Sequence, residues 1–160
     1  MNLGYAFKRS PDELVSGGYQ LKDNKKSSSE MRWVVLYRFL AQLHEDEDFE
    51  EVVYERPGNL FGHARKVLPG IQAIIELWAA QNGLAIRVCG PKTVKMFATG
   101  DGNADKDMML VSAKLRWPGR QFETHDEVDA CFLLTYFEKN HVREVGDKKL
   151  PKTRKPRNRS

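Results

Sequence analysis

Two short β-prone segments open the chain with only a turn between them, and every later β-prone segment is followed by a stretch of helical period. Strands joined by a turn pair antiparallel, whereas strands joined through a helix pair parallel by a crossover. A chain written in that order is expected to form an α/β layer structure with a mixed sheet flanked by helices. Residues 3–8 (LGYAFK) and 15–21 (VSGGYQL) read as the opening strands, with Ser10-Pro11-Asp12 in the turn between them.

A polar loop over 22–29 follows, and Ser28 or Ser29 caps a helix whose apolar positions are Met31, Val35, Leu36, Phe39, Leu40 and Leu43. An acidic run over 44–51 closes that helix. Val52, Val53 and Tyr54 are the core of a strand over 49–54, broken by Pro57-Gly58-Asn59. A long helix starts between Leu60 and Val67 and runs to Gln81, with Ile71, Ile74, Ile75 and Trp78 as its buried stripe. Pro69-Gly70 either kinks it or marks its start. Residues 84–89 (LAIRVC) are apolar enough to be a central strand. Pro91 opens a short helix ending near Gly100, Asn103 or Asp105 begins another that reaches Trp117-Pro118, and the last runs from Thr124 or Asp126 to about Asn140. No internal repeat interrupts this order.

A length of 160 residues suits one domain, and a hydrophobic fraction of 41% excludes wholesale disorder. No apolar run approaches the roughly 20 residues needed to cross a bilayer. The first residues lack the continuous apolar stretch of a secretory leader, so a cytoplasmic setting is expected. Cys89 and Cys131 lack CxxC spacing, which excludes a disulfide framework and a cysteine zinc site. The net charge of +4 is uneven: residues 143–160 hold eight basic and two acidic residues, and the rest of the chain is slightly acidic. The domain is therefore expected over 1–141, with a basic, disordered tail over 142–160. Such tails bind polyanions, and Lys152, Arg154, Lys155 and Arg157 are its candidate DNA contacts.

Three constellations carry possible chemistry. Glu55 ends the strand VVYE before a Pro-Gly break, at the carboxyl edge where open α/β sheets bind ligands. A plain surface carboxylate fits the same spacing. Asp126 and Asp129 in DEVDA lie three apart, on one face of a helix start. Two such carboxylates suit a hard divalent cation, and they equally suit helix capping and the macrodipole. The stretch ATGDGNADK, with Lys95 and Lys106 on either side, has glycines that let a phosphate approach a helix N-terminus, without the spacing of a P-loop. An ordinary helix–turn–helix with solvated lysines fits it as well. His44, His63, His125 and His141 form no metal-binding spacing; His125, beside Asp126, has a surface or capping role or assists a metal site. Cys131 reads as a small buried hydrophobe.

In order, the segments VVYERP, LPGIQAIIELWAAQNG, GPKTVKMFATGDGNADKDMM and HDEVDACFLLTYF resemble the RuvC-like crossover-junction endodeoxyribonucleases, the phage and prophage type above all. The resemblance covers most of residues 3–138. It implies an RNase H-like fold with a mixed five-stranded sheet, and a homodimer that grips a four-way DNA (Holliday) junction. The implied chemistry is Mg²⁺-dependent hydrolysis of DNA phosphodiesters, with Mn²⁺ as a substitute ion. The resemblance also makes Glu55, Asp126 and Asp129 the metal-binding catalytic carboxylates, and Lys106 and Lys95 contacts to DNA.

One departure stands out. The family's first catalytic residue is an aspartate on its first strand, a few residues before a glycine–aromatic pair. Here that pair is Gly4-Tyr5, and no aspartate precedes it. The first strand and its aspartate are therefore expected to be missing, through a misplaced start, removal of the segment or a degenerate member. The metal site would be incomplete and the sheet centre exposed. The alternative function is a RuvC-like protein that binds branched DNA without cutting it. A third is an RNase H-like nuclease acting on RNA–DNA hybrids or flaps.

Overall fold

The computed structural model describes residues 2–21, 31–56, 62 and 64–147. Two strands, β1 (Asn2–Ser10) and β2 (Glu13–Gln20), form an antiparallel hairpin. After α1 (Met31–Glu47) comes β3 (Glu51–Glu55), then α2 (Ala64–Gln81) and β4 (Ala85–Cys89), which pairs with β3 in parallel. Three helices close the chain: α3 (Pro91–Thr99), α4 (Lys106–Arg116) and α5 (His125–Asp147).

The expected elements are all present among the described residues, with three differences. The last helix runs on to Asp147, past its expected end near Asn140. The strand over 85–89 is not central: it pairs with β3 alone, and Ala85 and Ile86 are exposed. Its continuous apolar character reflects packing on both faces near Val88 and Cys89, not a strand partner on both sides. The strands form two separate pairs, β1–β2 and β3–β4, in place of one five-stranded mixed sheet. The loop over 22–29, the caps Ser28 and Ser29, the break at 57–59, His63, and the tail residues Lys152, Arg154, Lys155 and Arg157 lie outside the described residues.

Period-two alternation sorts the strands into three layers. Leu3, Tyr19, Val52, Tyr54 and Val88 face a core formed with α1 and α2 around Leu36, Ile71 and Ile75. Val53 and Cys89 face the opposite core, where Val94, Met109, Val128 and Phe132 join α3, α4 and α5. Pro69 lies inside α2, so Pro69-Gly70 is not its start. A Cβ on Gly70 would stand 2.4 Å from the Trp33 ring, so the missing side chain is a notch that lets α1 and α2 close. No helix among the described residues is long and apolar enough to cross a membrane.

Candidate functional site

Glu55 owes its position to the alternation of β3. Tyr54 turns to the α1/α2 side, where its hydroxyl donates to Glu76. Glu55, one residue later, turns with Val53 to the α5 side, at the carboxyl end of the parallel pair.

The start of α5 is fixed by four features. Thr124 is the cap: its hydroxyl accepts the Glu127 amide at 3.1 Å. Capping therefore falls to Thr124, not to Asp126 or Asp129. Glu127 is 3% exposed; its carboxylate accepts the Ser16 hydroxyl of β2 at 2.5 Å and the Glu123 amide at 2.8 Å. Arg120 completes the lock, donating to the Leu14 carbonyl at 2.9 Å and to the Ser16 hydroxyl at 2.7 Å. Finally, β1 approaches α5 so closely at Gly4 that a Cβ there would lie 1.9 Å from the Asp126 carbonyl oxygen. Sequence reasoning singled out neither Arg120 nor Glu127. The signal for Glu127 was the T-x-x-E spacing of a capping box at Thr124; Arg120 acts over long range and left none.

Glu55, Asp126 and Asp129 all line one cavity of about 710 Å³. Partial burial, then the charge of Asp129, raises the pKa of the Glu55 carboxyl to about 7, against the pull of Lys95. Although Glu55 is exposed, it lines the cavity together with Asp126 and Asp129. Asp129 is raised by burial and then by Asp126; Lys95, His125 and Lys106 pull it back. The carboxylates of β3 and α5 are thus within electrostatic reach, with two lysines around them. The Nδ1 atom of His125 is buried without a hydrogen-bond partner.

The lysines sit on a well-built turn. Gly100, at φ 82°, caps α3 in the left-handed conformation that glycine tolerates. Asp101 accepts the Asn103 amide at 2.8 Å, and Asp105 caps α4 by accepting the Met108 amide at 2.9 Å. Lys95 is part-buried and donates to the Ala104 carbonyl at 2.7 Å, tying α3 to this turn. Lys106 opens α4 and is exposed. Cys131 is fully buried, as a small hydrophobe should be.

Among the described residues no three His, Cys, Asp or Glu side chains stand close enough to form a closed metal set. The donor type still suits a hard divalent cation, since Glu55, Asp126 and Asp129 offer only carboxylate oxygens and repel one another without a counter-ion.

No protein-family model matches the chain, and no curated protein does. Solved structures do. A Thermus thermophilus RuvC structure superposes with a TM-score of 0.66 at 17% identity, covering 89% of each chain. T. thermophilus RuvC in complex with a Holliday junction substrate superposes with a TM-score of 0.69 at 13% identity, covering 90% of this chain and 88% of that one. The chain has the RuvC-like fold, an RNase H-like arrangement of strands between helices.

Proposed function

We propose that the protein acts on branched DNA as a divalent-metal-dependent endonuclease, cutting four-way junctions as a homodimer in the cytoplasm. The observation that supports this most is the gathering of Glu55, Asp126 and Asp129 at one rim of a RuvC-like fold, with Lys95 and Lys106 beside them. The basic tail adds attraction for phosphate.

In this reading Glu55, Asp126 and Asp129 would hold Mg²⁺ or Mn²⁺. When bound, such an ion lowers the pKa of water and stabilises the charge on a leaving oxygen. The chain's own part is to place and charge the site. The raised pKa values of Glu55 and Asp129 show that negative charge is costly at this rim, a cost that a bound cation would relieve. Lys106 offers an exposed ammonium to a phosphate, which offsets repulsion between DNA and the acidic rim. Lys95, anchored on Ala104, holds its charge near Glu55 and Asp129.

A second reading, binding without cutting, is favoured by one observation: no closed metal set exists among the described residues. Incubating the chain with a synthetic four-way junction and Mg²⁺ or Mn²⁺ separates the two. Paired nicks in the junction, lost in Asp129→Asn, are expected from the nuclease. Retarded but intact junction, bound in preference to duplex, supports the second reading. Neither nicking nor preference for the junction overturns both. Competition with an RNA–DNA hybrid or a flap checks that four-way DNA is the substrate.

A further inference from the structure

Asp126 and Asp129 stand at the start of α5, about 60° apart round the helix, and both line the cavity with Glu55. Among the described residues no hydrogen bond or ion pair holds either carboxylate, so the helix itself sets their aim. Glu127 belongs to the same stretch, about 130° round the helix from the middle of that pair. On that far side it is tied. Its carboxylate accepts from the Ser16 hydroxyl of β2 and from the Glu123 amide ahead of the helix, and Arg120 donates to the same Ser16 hydroxyl. The contacts of the hairpin with this part of the chain are of another kind. A Cβ on Gly18 would stand 3.3 Å from the Thr124 methyl carbon, and β1 presses on the Asp126 backbone at Gly4. Such contacts limit how near the helix comes, without fixing its rotation. Hydrogen bonds are directional, and they fix it.

We infer that Glu127 is a positioning residue for the cation site: tied to Ser16 and to the Glu123 amide, it sets the rotation of α5 at which Asp126 and Asp129 face Glu55. The inference rests on the reading of those three carboxylates as cation ligands. A helix rotation of about 10° moves an atom about 6 Å from the axis by about 1 Å. Ligand distances to a metal ion hold to about 0.2 Å, and Mg²⁺ demands near-ideal octahedral geometry. A small loss of angle therefore weakens cation binding while the fold persists. Packing alone does not call for this residue type. Glu127 is 3% exposed, and an apolar side chain would fill the same place without taking a carboxylate out of water. What the carboxylate adds is direction, because it joins one turn of α5 to two separate segments, β2 and the residues ahead of the helix. Groups that orient metal ligands without touching the ion change metal affinity by about 10–100-fold when they are removed.

The test is Mn²⁺ binding by the full chain without DNA, measured by titration calorimetry, with wild type and Asp129→Asn as references. Wild type is expected to bind the ion and Asp129→Asn to lose it. Glu127→Leu, checked for folding by circular dichroism, is expected to bind Mn²⁺ about tenfold more weakly. Glu127→Gln removes the charge but keeps an acceptor oxygen, and is expected to stay close to wild type. Leu36→Val, a destabilising change in the core between α1 and α2, is expected to leave the affinity unchanged. Wild-type affinity in Glu127→Leu overturns the inference. An equal loss in Glu127→Gln also overturns it, assigning the effect to charge, and an equal loss in Leu36→Val overturns it by assigning the effect to stability. Should Glu127→Leu not fold, Ser16→Ala decides: a several-fold loss is expected, and unchanged affinity overturns the inference. Wild type that binds no Mn²⁺, or binding untouched by Asp129→Asn, overturns the cation reading and this inference with it; that failure shows in the two references, whatever the Glu127 variants do.

Discussion

Glu55 shows what one residue inherits from its place. The pKa of its acid group is raised to about 7, while in the unfolded chain it returns to the usual range near 4.5. The folded state therefore holds a proton that the unfolded state has lost between those values. Stability is highest below pH 4.5 on this account and falls as pH rises through 7. In metal-free protein the melting temperature is expected to fall across that window, and Glu55→Gln is expected to flatten the fall; a thermal melt series at several pH values reads both. Glu127 is the opposite case, a carboxylate with assigned partners. Glu127→Ala leaves the Ser16 hydroxyl and the Glu123 amide without their acceptor, and a loss of about 1–3 kcal/mol is expected in denaturant unfolding. The three acidic candidates were legible because residue type and place along a strand end and a helix start carry chemistry. Arg120 was not, because its targets lie more than a hundred positions away.

At the scale of elements, the order of strands and helices was legible because hydrophobic period distinguishes them locally. Pairing was less so. The apolar run over 84–89 suggested a central strand, yet β4 is an edge in its pair; burial on the two helical layers alone accounts for its composition. The glycine of the first strand gave no local sign of what it admits. Gly4 is the point where β1 touches the backbone of α5, and any side chain there displaces the turn that carries Asp126. Gly4→Ala is thus expected to destabilise the fold by about 1–3 kcal/mol through overpacking, against an effect within about 0.5 kcal/mol for an exposed site such as Lys114→Ala. Chemical denaturation of the two variants side by side measures the difference.

For the whole molecule, charge and fold are divided between segments. The described body carries the RuvC-like fold and an acidic rim, whereas the basic excess belongs to the last eighteen residues. If that segment meets phosphate, deleting residues 148–160 is expected to weaken binding to a four-way junction. It is also expected to reduce the slope of log affinity against log salt by about 0.9 for each phosphate that the segment neutralises. Binding titrations over a range of salt read the slope; an unchanged slope assigns the affinity to the folded body.

The proposed chemistry turns on carboxylates from β3 and α5 sharing a divalent cation. Anomalous diffraction at the manganese edge, from crystals of the wild-type chain grown with Mn²⁺, tests it directly. The expected result is a manganese peak in contact with Glu55 and Asp129. Manganese that binds elsewhere, or a rim left without a peak while the ion is present in excess, would contradict it.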